Sequence, residues 1–458
     1  MADMKDLPPY YRQSGNEGYH TPTIIEGTLR SVPLSFDGYP FPIQTLPHIS
    51  NGTNEISSEG KLSKLGLGDQ RRLPWKQRIR HFTWAYFTLT MATGGIANVI
   101  AQIPGPYRFP GLQIIGLVTC LINILFYIAI WALLILRFYL YPFTFRASFL
   151  HPTESLFVPA AVVSFGTILI NITQYTGSRI LDPLRILFWF DAALAVISSA
   201  GIYLLLWSTQ TFTIAEMTPI WIFPAYPMLI VGPHAGLLSA ELTPPRSLSV
   251  IIGGFTIQGV GFLVSLTVYS AYIYRLMTQK LPKGNARPGM FVSIGPSAFT
   301  VSALTSLAAN AKQSFQPGFM GDGELAATIV QVVANFACLW LWGLAIFFLI
   351  IAIFAHMSVI GHGRISFTMA WFSFVFPNTA LTSATFAIGK AFACDSIVII
   401  GLSMIVLLIL MYGFVCYMMI RAIRLHQILW PQKGEDKDEG GFRIEEHKPE
   451  SPGERSPV

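Results

Sequence analysis

Residues 371–390 read WFSFVFPNTALTSATFAIGK. The stretch is apolar and has the length of about 20 residues that a bilayer-crossing helix needs. Pro377 nevertheless sits in its middle, with a run of hydroxyl side chains behind it. Proline removes a backbone donor and disfavours helical geometry in the residue before it, so a kink is expected at Phe376–Pro377. Phe372, Phe376, Thr379 and Ser383 are spaced four, three and four apart and share one helical face. Two readings of that face are open. Two rings followed by two hydroxyls describe a narrow passage with a polar floor. The other reading is an ordinary proline-kinked helix whose hydroxyls bond back to its own carbonyls.

Composition decides what surrounds the stretch. Of 458 residues, 52% are hydrophobic and 12% are charged, against about 25% charged in a soluble domain. Most of the surface therefore faces lipid, and the chain is an integral membrane protein. Its net charge of +6 comes mostly from the flanks of apolar segments and gives no support for nucleic-acid binding. Cys120, Cys338, Cys394 and Cys416 lie in or beside apolar segments, with neither metal-ligand spacing nor a disulfide framework. No metal or cofactor is expected. There is no HExxH, nucleophile elbow or Walker loop, and Gly253-Gly254 and Gly259-Val260-Gly261 lack the strand context of a dinucleotide fold. The chain is not expected to be an enzyme.

Three regions follow. Residues 1–75 are polar and rich in Pro, Gly and Ser, which predicts a disordered tail. The first apolar run comes too late for a cleavable signal peptide. Residues 76–426 form the transmembrane domain, and 427–458 a second, charged tail. Ten apolar spans are expected, roughly at 81–101, 111–137, 153–175, 183–208, 217–240, 247–275, 289–311, 325–357, 364–388 and 393–424. An even number returns both termini to one side. The basic cluster Lys61, Lys64, Arg71, Arg72, Lys76, Arg78 and Arg80, with Arg137, Arg146, Arg275 and Arg364 at later span ends, makes that side cytosolic.

The spans alternate in character. Odd spans carry internal breakers: Pro159 in the third, Pro224 and Pro227 (with Pro219 and Pro233) in the fifth, Pro296 in the seventh and Pro377 in the ninth. The first has the pair Gly94-Gly95, with Gly95 taken as the kink. Odd spans also carry polar or small stripes: Thr83, Thr90 and Gly94 in the first, Ser164, Thr167 and Asn171 in the third, Ser293, Ser297 and Thr300 in the seventh. Even spans are largely aliphatic and aromatic. Backbone groups freed by a break are tolerated at membrane depth only inside protein or beside a water-filled cavity. The expected fold is therefore all-α, five helical hairpins whose odd, kinked helices surround a central pore and whose even helices face lipid. The competing reading is that small residues and prolines serve only close helix packing.

A lining of hydroxyls and amides without acidic groups suits an anion. His234 in the fifth span, Arg364 before the ninth and Lys390 at its end are cationic candidates, although chain-end bases also snorkel and a histidine can be purely structural. Asp191, in an even span, is expected to pair with a neighbour such as Arg185 or to serve packing.

Arg80-His81-Phe82-Thr83-Trp84-Ala85, running on into Thr93-Gly94-Gly95-Ile96-Ala97, resembles the first membrane helix of the fungal malic acid transporters. These belong to the tellurite-resistance/dicarboxylate transporter family, with the plant slow anion channels and bacterial TehA. The resemblance covers roughly residues 76–426. It implies ten helices, five inner and five outer, in a homotrimer whose subunits each hold a pore. It also implies that Phe376 matches the phenylalanine that plugs the pore in the channel members. The function implied is plasma-membrane transport of malate and related C4-dicarboxylates such as succinate and fumarate, as monoanion or with a proton. Sulfite or small inorganic anion efflux is the alternative, and a poreless membrane receptor or scaffold is the rival from another class.

Overall fold

A computed structural model describes residues 74–359 and 366–430. The expected tails lie almost wholly outside the described residues, as does Arg364. Regular structure among the described residues is entirely helical. Ten helices of at least 15 residues follow one another: α1 (Phe87–Ala101), α2 (Leu112–Leu140), α3 (Ala160–Thr176), α4 (Leu181–Thr209), α5 (Tyr226–Glu241), α6 (Arg246–Gln279), α7 (Gly295–Ser314), α8 (Gly323–Met357), α9 (Phe376–Ala391) and α10 (Asp395–Arg424). With their leading turns, eight of them are long and apolar enough to cross a membrane; α1 and α9 fall outside that set.

Burial divides these helices as the alternation of breakers does. The spans ending in α3, α5 and α7 are 78–83% buried, whereas α2, α4, α6, α8 and α10 are only 17–39% buried. Nearly every residue of α1 and α9 is buried as well. The odd helices close a cycle of contacts: α1 packs on α3, α3 on α5, α5 on α7, α7 on α9, and α9 back on α1. Each even helix packs on the odd helix before it and on the next in the cycle.

The breaks lie at the starts of the odd helices. A 3₁₀ segment leads into α1 (Trp84–Tyr86), α5 (Pro219–Ala225), α7 (Gly284–Ile294) and α9 (Met369–Phe374), and a four-residue helix (Glu154–Phe157) leads into α3. Pro159 is the residue before α3, and Pro227, Pro296 and Pro377 occupy the first turns of α5, α7 and α9. A proline costs nothing there, because the first-turn N–H groups have no helical partner. The expected mid-helix kinks are thus helix starts, with Pro224 inside a 3₁₀ segment and Pro233 inside α5.

Gly95 is a correction. α1 runs unbroken through Gly94-Gly95, and the break of that span lies before Phe87. Glycine weakens a helix but removes no hydrogen bond. The pair instead allows close approach. A Cβ on Gly95 would stand 2.5 Å from Thr379 Oγ1, and one on Gly94 would stand 2.6 Å from both Asn123 Nδ2 and Thr167 Cγ2.

Two charged groups bear on the expectations. Arg137, expected as a flanking base, is fully buried, with Nη1 2.5 Å from Glu154 Oε1. The same nitrogen donates to Phe82 O at 2.9 Å, and Ser148 Oγ donates to Glu154 Oε1 at 2.8 Å. This knot ties the end of α2 to the leads into α1 and α3. Asp191 does not pair with Arg185, which stands 3.8 Å from Asp182. Six residues along a helix turn two side chains about 120° apart. Asp191 is buried against α3, where a Cβ on Gly166 would lie 2.9 Å from its Oδ2.

Candidate functional site

All five odd helices line one cavity of about 860 Å³. Four of them present a face with the same three-then-four spacing: Gly95, Asn98 and Gln102 at α1; Ile230, Pro233 and Leu237 on α5; Phe299, Ser302 and Ser306 on α7; Phe376, Thr379 and Ser383 on α9. Helix α3 contributes Thr167 and Ile170. The N-terminal end of the lining is therefore Gly95, Thr167, Ile230, Phe299 and Phe376, one residue from each odd helix.

That end is closed by rings. Phe376 is 3% exposed, its centroid 5.3 Å from that of Phe299 and 6.1 Å from that of Tyr226. Tyr226 and Phe299 are 6.0 Å apart and edge-on. Tyr226 is wholly buried, and its hydroxyl donates to Val292 O. Each ring comes from near the start of an odd helix, where the break lets the chain turn inward.

The opposite end carries charge. Arg108 and Lys390 line it, and Asp395 is the one carboxylate on this lining among the described residues. Arg108 is held by the loop, donating from Nε to Ile103 O at 2.6 Å and from Nη2 to Ala101 O at 2.8 Å. A smaller cavity of about 310 Å³ adjoins, sharing Gln102, Arg108 and Leu237 and adding Gln174 and Glu241.

Of the residues singled out from the sequence, Thr167, Phe376, Thr379, Ser383 and Gly95 meet at this cavity. Lys390 and Pro233 line it too, whereas the hydroxyl and amide candidates on the other stripes do not. The Thr90 and Ser164 hydroxyls stand 2.7 Å apart and within 2.7 and 3.1 Å of Phe87 O, so that one donates to this carbonyl and the other to its neighbouring hydroxyl or to the same carbonyl, tying α1 to α3. Asn171 donates to Gly94 O at 3.1 Å. Ser293 donates to Met290 O, and Ser297 is buried beside it. Thr300 faces the Gln258 amide of α6 at 2.8 Å. Thr83 and Phe372 are buried in the leading segments of α1 and α9. His234 is a further correction: it is fully buried, with Nε2 3.2 Å from Thr173 Oγ1 and its ring 5.3 Å from Phe188. It lies between α5, α3 and α4, away from the cavity.

The physical reason is common to these cases. Spacing groups side chains on one face, but packing decides where the face points. Ser293 lies in the segment leading into α7, Thr300 turns toward Gln258 of α6, and the cavity receives Phe299, Ser302 and Ser306 instead. Sequence reasoning missed Asn98, Gln102, Phe299, Ser302 and Tyr226. The repeated spacing onward from Gly95 was the available signal for the first two.

The threonines of the ninth span bond back to their own helix. Thr379, Thr382 and Thr385 donate to Phe376 O, Asn378 O and Leu381 O at 2.7–2.8 Å, as an ordinary helix would have it. Thr167, Thr305 and Ser306 do the same on their own helices. Their hydrogens are used, so they offer an incoming group only lone pairs.

Comparison with known proteins bears on this arrangement. A family model described as SLAC1, voltage-dependent anion channel, matches residues 81–420. The malic acid transport protein of Schizosaccharomyces pombe is 30% identical over 369 residues, which is 80% of this chain and 83% of the relative. A second protein of that organism, also named for malic acid transport, is 29% identical over 375 residues, 80% of this chain and 85% of its own. A sulfite efflux pump of Trichophyton rubrum is 25% identical over 331 residues, 70% of this chain and 86% of its own.

Proposed function

This chain belongs to the voltage-dependent anion channel family, and on that premise we propose that it moves malate and related C4-dicarboxylates across a membrane. Ten helices cross the bilayer as five hairpins, and the odd members surround the passage. The observation that carries the reading is the cavity itself, which takes one face from each odd helix, is floored by Phe376 and Phe299, and has Arg108 and Lys390 against a single Asp395 at its opposite end. That charge balance attracts anions and focuses their field in a low-dielectric cleft. The 30% identity to a protein named for malic acid transport supports malate as the substrate, with succinate and fumarate as its chemical neighbours.

Phe376 is the gate. With its ring against Phe299 and Tyr226 the passage is closed, and rotation of the ring opens it. The cargo travels as monoanion or with a proton. By the family resemblance the protein is a homotrimer with one passage per subunit, embedded in the plasma membrane with both termini cytosolic, so that the cavity opens to the outside.

Uptake of labelled malate by proteoliposomes, with sulfite and chloride as competitors, tests the reading. Malate uptake above that of empty liposomes is expected. Flux of sulfite with none of malate would transfer the assignment to inorganic anion efflux, and absence of any anion flux would leave a poreless membrane protein.

A further inference from the structure

An anion held at membrane depth needs N–H or O–H donors, and most hydroxyls on the cavity wall have already given theirs to their own helices. Ser383 has not. Among the described residues its hydroxyl has one partner, Asn98 Nδ2 at 3.5 Å. Ser302, across the cavity on α7, also has a buried hydroxyl with no partner. The wall also carries the Gln331 and Asn335 amides of α8, but the donors nearest the aromatic end are these hydroxyls and the Asn98 amide, which meets Ser383 between α1 and α9.

Asn98 is set in place from behind. Its Oδ1 accepts from Gln102 Nε2, one turn along the chain, at 2.9 Å and from Gln174 Nε2 on α3 at 2.7 Å. Two donors fill the two lone pairs of that oxygen, so the NH₂ end is turned toward Ser383 and the cavity. A 3.5 Å contact is at the limit of a hydrogen bond, and the second N–H of Asn98 has no partner at all among the described residues. Gln174 itself keeps a buried Oε1 with no partner. The one hydrogen bond Gln174 makes through its side chain among the described residues is thus the one it donates to Asn98.

We propose that Asn98 and Ser383 form the seat for one carboxylate of the transported anion, with Gln174 and Gln102 as positioning residues that hold the Asn98 donors toward it. The proposal rests on the reading of the cavity as an anion passage. Ser383 lies seven residues beyond Phe376 on α9, about 10 Å along the helix axis. A carboxylate seated there waits directly outside the aromatic floor. Lys390 lies another seven residues on, so the second carboxylate of a dicarboxylate points toward the basic end while the first is held by neutral donors.

The test uses the full-length protein in liposomes and initial rates of labelled malate uptake over a range of concentrations. Asn98→Leu keeps the size of the side chain and removes its donors. Its KM should rise roughly tenfold to hundredfold, as expected for a hydrogen bond to a charged group. Vmax per folded transporter should change little. Ser383→Ala should raise KM severalfold, and Gln174→Leu should do so with Asn98 itself intact. A merely structural role would lower the amount of folded protein and leave KM alone. Unchanged KM in Asn98→Leu and Ser383→Ala overturns the proposal. So does a fall in KM for Asn98→Leu, which would mean that the amide carbonyl faces the substrate. If Asn98→Leu does not fold, Ser383→Ala and Gln174→Leu decide by the same measure. If the wild type moves sulfite or chloride but not malate, the malate assignment fails and the seat is judged by KM for that anion. If it moves no anion, both fail.

Discussion

Replacing Phe376 with alanine tests the gate most directly. The ring is 3% exposed, packed 5.3 Å from Phe299 and 6.1 Å from Tyr226. Aromatic pairs at such distances contribute about 0.5–1.5 kcal/mol each beyond burial, so truncation removes about 1–3 kcal/mol that favours the closed arrangement. On a two-state scale that is roughly a 5- to 150-fold rise in the open-to-closed ratio. The same truncation of a fully enclosed phenylalanine costs about 3–5 kcal/mol of stability. One side of Phe376 already borders the cavity, so the loss of stability falls at the low end and the variant should still fold. The assay is passive anion efflux from loaded proteoliposomes, paired with single-channel conductance in a planar bilayer. Leak should rise within the stated range, and Phe299→Ala should raise it less, because Phe376 retains Tyr226. The double variant should fall short of the product of the two effects, since the rings share one contact. A folded Phe376→Ala protein with wild-type efflux and conductance would refute the gate.

Three further outcomes follow from the packing. Glu154→Gln leaves the Arg137 guanidinium buried without its counter-charge; breaking such a pair costs about 3–5 kcal/mol, read as a large drop in thermal stability in detergent, and an unchanged melting temperature would remove the knot from the fold's support. Gly95→Ala puts a Cβ 2.5 Å from Thr379 Oγ1, an overpacking of about 1–3 kcal/mol; Thr379→Ala should recover much of the lost stability in the double variant, and no recovery would place the strain elsewhere. His234→Ala should lower stability while the pH profile of uptake keeps its shape, because the ring packs on Thr173 and Phe188 rather than on the cavity; a displaced profile would restore it to the transport path.

Part of the candidate site was legible because it depends on local chemistry. The prolines marked where the odd helices break, since a missing N–H has the same consequence in any fold, although the break proved to be a helix start rather than a mid-helix kink. Of the stripe Phe372, Phe376, Thr379 and Ser383, the last three share the α9 face that borders the cavity, while Phe372 lies in the leading segment away from it. The identical logic on α7 selected Ser293, Ser297 and Thr300, which do not line the cavity, and passed over Phe299 and Ser302. Nothing in the spacing of either helix tells the two cases apart. For Asp191 the sequence left pairing with Arg185 and a packing role open, and helical rotation leaves the packing role against α3.

The sequence by itself determined that this is a helical membrane protein with broken odd helices and smooth even ones. A chain with 12% charged residues cannot face water over most of its surface, and a break in lipid must be sheltered. Only the tertiary structure decided which donors remain free. Thr379 and Ser383 are both hydroxyl-bearing residues one turn apart on the same face. One gives its hydrogen to Phe376 O, and the other meets an asparagine held from two sides by glutamines on α3 and at the end of α1. That difference depends on the rotation of α1 and α3 against α9, a packing term summed over many contacts and not carried by any single residue.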